Sequence, residues 1–112
     1  MFETVLFPLN FSEPPFRIRQ AMTYLSNLET KNVELVHVLS SGMESTTKAR
    51  KRLEERARIV EEAGFNPETL IRTGHEASEI VWAGQERGVD FICLPWKKKS
   101  WLQKALLGST TK

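Results

Sequence analysis

The chain is poor in the residues that carry most metal and nucleophile chemistry: among 112 residues there are one cysteine and two histidines. A lone cysteine, Cys93, forms no internal disulfide, which fits a reducing compartment and makes a cytoplasmic protein the expectation. His37 and His75 belong to no cluster with metal-ligand spacing, and neither stands in an obvious pair with a Ser or Cys nucleophile. The Gly-x-Ser-x-Gly elbow and the P-loop ending in Gly-Lys-Ser/Thr are both missing. No apolar run approaches the roughly 20 residues of a membrane-spanning helix, and Met1-Phe2-Glu3-Thr4 lacks the basic start of a signal peptide. Charge of one sign is scarce too. Sixteen basic residues face 14 acidic ones, a net +2, so nucleic acid is not the expected partner. There is no low-complexity stretch, repeat or linker, and residues 1–112 are expected to form a single domain.

What is present is regular alternation. Thr4 to Leu9, "TVLFPL", is a short apolar run suited to a strand buried on both faces. Ser12 is then a natural helix N-cap, with Pro14 and Pro15 in the first turn. Ile18, Ala21, Met22, Leu25 and Leu28 recur at helical spacing. Asn32 to Leu39, "NVELVHVL", reads as a second strand. A helix from about Glu44 to Ala63 carries the stripe Ala49, Leu53, Ala57 and Val60 and ends at Gly64. Pro67 to Thr73 is a third, more polar strand nearer an edge. Gly74-His75 turns into a helix bearing Ala77, Ile80, Val81 and Gly84, which Gly88 ends. Val89 to Pro95, "VDFICLP", is a fourth strand, and Trp101, Leu102, Ala105 and Leu106 suggest a fourth helix.

Strand and helix alternating in this way dictate a parallel sheet with right-handed crossovers and helices on both faces. Ligands of such sheets bind beyond the carboxyl ends of the strands, where strand order reverses. Attention therefore falls on Asn10-Phe11-Ser12, Val38 to Ser41, Gly74-His75 and the residues from Pro95 onward.

Four stretches at these strand ends carry a resemblance: "VLFPLNFSE" (5–13), "ELVHV" (34–38), "IRTGHEASEIVWAGQERGVDFICLP" (71–95) and "LLGST" (106–110). In order and spacing they are similar to the universal stress protein family over essentially the whole chain. The resemblance implies a doubly wound, three-layer α/β/α fold of the Rossmann-like, adenine nucleotide alpha hydrolase-like kind. It implies a homodimer and ATP or AMP as ligand. The nucleotide-binding positions it marks are Leu9, Asn10, Phe11, Ser12, Val38, Gly74, His75, Pro95, Lys98, Gly108, Ser109 and Thr110. Two departures accompany it. The family's Pro-x-Asp-x-Ser reads here Pro8-Leu9-Asn10-Phe11-Ser12, which keeps a hydrogen-bonding tip at position 10 but loses its charge. The family's late signature is Gly, two residues, Gly, nine residues, Gly, then Ser or Thr. Gly108-Ser109 supplies its end, while Pro95 and Lys98 stand at the two earlier glycine positions. Proline removes an amide donor and lysine adds bulk where backbone would approach phosphate. The site reads as degenerate, with nucleotide binding weakened or lost.

Several residues have plainer readings. Gly108-Ser109-Thr110 is also an ordinary helix end, and the two readings balance. Lys97-Lys98-Lys99, flanked by Trp96 and Trp101, reads as a solvated loop ahead of an anion site. His75 reads as a surface residue and His37 as a packed one. Cys93 reads as a buried, inert thiol. Trp82 and Trp101 read as helix residues packing on the sheet. The family's fifth strand would follow Gly108-Ser109, and the residues beyond it here extend only to Lys112. The expectation is a sheet lacking that strand, with "VDFICLP" as an open apolar edge that favours self-association. A universal-stress-type protein acting by binding and association is the leading functional reading. A functional ATP/AMP-binding protein using Lys97–Lys99 and Gly108–Thr110 is a second, and an enzyme of the wider nucleotide-binding α/β superfamily a third.

Overall fold

The structure, a computed structural model, describes residues 2–39 and 45–94. Its elements alternate as expected: β1 (Thr4–Pro8), α1 (Pro15–Asn27), β2 (Asn32–Leu39), α2 (Thr46–Glu62), β3 (Asn66–Thr73), α3 (Glu76–Arg87) and β4 (Phe91–Ile92). The strands form one parallel sheet in the order β3-β2-β1-β4. The chain steps outward from β1 to β3, then returns past both neighbours to pair β4 with the other side of β1. The reversal point therefore lies between β1 and β4.

The period of two in the strands sorts their side chains into two layers. Val5, Phe7 and Leu9 of β1 and its end, with Val33 and Leu35 of β2, face α1 and α2 and pack on Ile18, Met22, Leu25, Leu53 and Val60. Leu6, Val36 and Val38 face the opposite way and pack on Ile80 and Ala83 of α3. Ile18, Met22 and Leu25 recur at four and three residues, which brings them onto one stripe of α1. Burying a side chain of this size is worth about 1.5–3 kcal/mol, so these stripes fix which face of each helix meets the sheet. Gly84 of α3 packs against Leu6, Val89 and Ile92, each 3.5–3.7 Å from where a Cβ would stand, so the helix lies in van der Waals contact with β1 and β4.

Four expectations change. Ser12 does not cap α1: the N-cap position is Pro14, with no side-chain hydrogen bond. The Ser12 hydroxyl is instead bonded to Asn10, as described below. The fourth strand is shorter than Val89–Pro95. Only Phe91 and Ile92 pair with Val5 and Leu6, while the Cys93 amide adds one further bond to the Leu6 carbonyl at 2.9 Å. Its entry is held by Asp90, whose amide donates to the Thr4 carbonyl and whose carboxylate accepts from the Thr4 amide at 2.9 Å. Trp82 is 51% exposed and does not pack on the sheet, because the buried stripe of α3 runs through Ala77, Ile80, Ala83 and Gly84 on the other side of the helix. Finally, α2 starts at Thr46, capped by the Ser45 hydroxyl, which accepts from the Lys48 amide at 3.3 Å. The polar strand β3 is an edge, as its composition suggested. Among the described residues β4 is the other edge and no fifth strand follows it. The suggested fourth helix lies outside the described residues.

Candidate functional site

The carboxyl end of β1 is a tightly self-bonded turn. The Leu9 amide donates to the Val36 carbonyl at 2.8 Å, carrying the β1–β2 ladder one residue past the strand. The Leu9 carbonyl lies 2.7 Å from Nδ1 of His37, a residue only 6% exposed. A carbonyl only accepts, so Nδ1 is the protonated nitrogen of this ring. At Asn10 the side-chain oxygen accepts from the Ser12 amide at 2.9 Å and from the Ser12 hydroxyl at 2.6 Å. This is an Asx turn reinforced by a hydroxyl. Glu13 then folds back. Its carboxylate accepts from the Asn10 amide at 3.2 Å and from the Phe11 amide at 3.0 Å. Two consecutive amides aimed at one carboxylate form an anion-binding concavity that the chain fills with its own side chain.

Phe11 pays for this geometry in backbone strain. Its φ is +70°, a left-handed value that a bulky aromatic residue rarely adopts. Three contacts hold it there: the Glu13 carboxylate on its amide, and two sets of partners on its ring. The ring lies against the His37 imidazole with centroids 4.2 Å apart and planes tilted by 32°. The guanidinium carbons of Arg52 and Arg56, one turn apart on α2, lie over the same ring at 5.6 and 5.3 Å from its centre.

The expected site residues separate into groups. Leu9, Asn10, Phe11 and Ser12 come together with His37, Arg52 and Arg56 on the α1/α2 face. The Val38 side chain points to the other face and is core against α3. Gly74 and His75 lie at the end of β3, on the far side of β2 from β1. There Gly74 adopts φ +139° and bonds the Leu39 carbonyl. His75 is exposed and serves as the N-cap of α3, its Nδ1 accepting from the Ser78 amide at 3.4 Å. Pro95, Lys98, Gly108, Ser109 and Thr110, with the lysine run, lie outside the described residues. Cys93, at the end of β4, is partly buried, and burial pushes its thiol up from the ordinary value. Among the described residues no three His, Cys, Asp or Glu side chains gather in a metal-binding group.

Sequence reasoning missed Glu13, Arg52 and Arg56. The signal for Glu13 was its place three residues after Asn10, within reach of the turn's amides. For the arginines it was the run Lys48, Arg52, Arg56 at four-residue spacing, one position before the apolar stripe Ala49, Leu53, Ala57. Which loop that row would face is decided by how α2 packs.

A second charged arrangement ties α3 to the sheet. Arg72 of β3 donates from Nε to Glu79 and from Nη1 to Glu86, both at 2.7 Å. Arg87 donates from Nε to Glu34 and from Nη2 to Glu68, both at 2.6 Å. Glu34 is 6% exposed on β2. Burial pushes its carboxyl above the ordinary value and its hydrogen bond with Glu68 adds to that, while Arg87 pulls it back. The exposed partner Glu68 is held below the ordinary value, first by that same hydrogen bond and then by Arg87. These groups lock α3 onto β2 and β3 and face away from the β1 turn.

The sequence matches the universal stress protein family over residues 1–112. It is 25% identical over 140 aligned positions to universal stress protein MJ0577 of Methanocaldococcus jannaschii, covering 99% of this chain and 86% of that one. Among solved structures, the hypothetical protein PH0823 is similar with 31% identity and a TM-score of 0.68, over 82% of this chain and 73% of that one. A universal stress protein solved in complex with cAMP is similar with 16% identity and a TM-score of 0.65, over 81% and 70% of the two chains. At that identity the likeness speaks to the fold alone. The sheet order with its reversal beside β1, the helices on both faces and the match along the full sequence agree: this chain belongs to the universal stress protein family.

Proposed function

We propose that this protein is a cytoplasmic universal-stress-type domain that acts by binding and self-association, not by turnover, and that its ATP/AMP site is weakened. The observation that carries this reading is the closed β1 turn. The amides of Asn10 and Phe11 are taken by Glu13, and the Asn10 carboxamide oxygen is taken by Ser12. A ligand entering there must displace bonds the chain already makes, and each displaced bond subtracts from affinity. The resemblance adds that Pro95 and Lys98 stand where glycines would bring amides to phosphate. A relative solved with cAMP supplies the ligand class to be tried. Self-association is supported by β4, a two-residue edge whose outer side has no strand partner among the described residues.

The test is calorimetric titration with ATP, ADP, AMP and cAMP, with and without magnesium. The expected dissociation constants are weaker than about 10 μM, or roughly 7 kcal/mol of binding. A tighter constant overturns the weakened-site reading and restores a functional pocket with Lys97–Lys99 and Gly108–Thr110 on the phosphates. Sedimentation as a monomer at micromolar concentration would count against self-association.

A further inference from the structure

The arginines of this fold are used in two different ways. Arg72 and Arg87 each fork across two carboxylates and serve to fasten α3. Arg52 and Arg56 are turned onto the Phe11 ring instead. Among the described residues no carboxylate lies within 4.0 Å of either guanidinium, and none of the guanidinium N–H groups is hydrogen-bonded. Cation–π contact fixes a guanidinium's position while leaving its hydrogen-bonding edge unspent.

Helix stability does not account for the placement. The first half of α2 carries Lys48, Arg50, Lys51 and Arg52, with no acidic residue in its first turn, and the last turn carries no basic residue. That is the reverse of what the helix macrodipole favours. Lys48, Arg52 and Arg56 are also like-charged neighbours at four-residue spacing, each pair costing a few tenths of a kcal/mol. Phe11, the ring that steadies two of them, is itself held in a disfavoured backbone conformation. Local rules are broken together at one point, and among the described residues the two guanidiniums gain no hydrogen bond or ion pair in return, which marks a place shaped for something outside the protein. α2 begins just beyond the carboxyl end of β2, so this point lies on the ligand-binding edge of the sheet.

We propose that Arg52 and Arg56, steadied on the Phe11 ring, form a clamp for a phosphoryl group, taking the phosphate of a small phosphate monoester or anhydride. Two guanidiniums converging on one point match the planar, several-donor recognition that phosphate oxygens favour. The clamp recognises phosphate and not a base, so it does not rest on the nucleotide reading above.

The experiment is an amide and arginine Nε–H NMR titration with inorganic pyrophosphate, AMP and adenosine. The proteins are wild type, Arg52→Gln with Arg56→Gln, and a control, Arg58→Gln, which removes one exposed cation of the same helix away from the ring. The wild type is expected to bind pyrophosphate and AMP saturably, with shifts centred on Phe11, Arg52 and Arg56, and adenosine at least ~10-fold more weakly. The double variant should lose ~10-fold or more in pyrophosphate affinity, and Arg58→Gln less than ~2-fold. An equal loss in Arg58→Gln would reduce the effect to general charge and overturn the clamp. So would saturable binding that survives in the double variant, or no saturation by about 10 mM pyrophosphate. Adenosine binding as tightly as AMP would also overturn the clamp while leaving the nucleotide crevice as read. Circular dichroism of each variant confirms that the fold is kept, since both substituted positions lie off the core stripe of α2.

Discussion

Removing the Glu13 carboxylate probes the β1 turn most directly. In Glu13→Ala the amides of Asn10 and Phe11 lose their shared acceptor, and the strained φ of Phe11 loses one of its three restraints. Hydrogen bonds to a charged group are worth roughly 1.5–3 kcal/mol when buried. Glu13 is only half-buried, so about 1 kcal/mol for each of its two bonds is the discounted figure, or about 2 kcal/mol in total. Freed amides regain water, which keeps the loss from being larger. For a domain of this size about 1 kcal/mol corresponds to roughly 4–8 °C, so the thermal midpoint should fall by about 8–16 °C. Glu13→Gln keeps one carbonyl acceptor and should lose about half as much. If the carboxylate is what closes the turn, the same Glu13→Ala variant should bind AMP more tightly. A gain of about tenfold corresponds to 1.4 kcal/mol, the order of one recovered amide bond. Thermal unfolding followed by circular dichroism and calorimetric titration with AMP read the two effects on one sample. A variant as stable as wild type within about 0.5 kcal/mol, and with unchanged AMP affinity, would refute the account of the turn.

Two further predictions concern the scaffold. Alanine at Gly74 meets both a φ of +139° and the Glu79 carboxylate 3.0 Å from the new Cβ, a carboxylate that Arg72 anchors. Alanine at Gly88 meets a φ of +63° and nothing within 4 Å. Gly74→Ala should cost about 2–3 kcal/mol and Gly88→Ala about 1 kcal/mol in urea unfolding, and equal costs would show that the Glu79 contact has no weight. Glu34 has its carboxyl raised above 4.5 by burial, so the folded state holds that proton more firmly than the unfolded chain does. Its contribution is complete below about pH 4.5 and declines as pH rises through the folded value. Glu34→Gln keeps the shape and hydrogen bonding without the charge, so its stability relative to wild type should improve between pH 4.5 and 7. Urea midpoints at the two pH values check this, and a wild-type advantage that grows with pH would contradict it.

Most of the architecture was legible in order and period alone. Continuous apolar runs such as Val5-Leu6-Phe7 mark strands covered on both faces, and Ile18, Met22 and Leu25 mark a helix that buries one stripe. Boundaries were less legible. Ser12 looked like a cap because the residue type fits, but its hydroxyl donates to the Asn10 oxygen, and α1, with Pro14 at its N-cap position, has no side-chain cap. Trp82 looked like a packing residue because it is large and apolar, yet one step of helix rotation separates it from the buried row.

The sequence by itself determined the parallel α/β order, the polar edge at β3 and the candidate residues Asn10, Phe11 and Ser12 at the end of β1, because periodicity and turn chemistry are local. Only the tertiary structure decided that Glu13 fills the amides of that turn, that His37 backs the Phe11 ring, and that Arg52 and Arg56 reach the same ring from α2. It also decided that Val38 faces away and that Gly74 and His75 stand across β2. Glu13 meets its amides within the turn itself, and sheet order places Gly74 and His75, but for Arg52 and Arg56 the reason is helix docking. Residues up to 45 positions apart, such as Phe11 and Arg56, meet because hydrophobic stripes dock each helix at one rotation on a twisted sheet, and that rotation is set by packing, not by any local pattern.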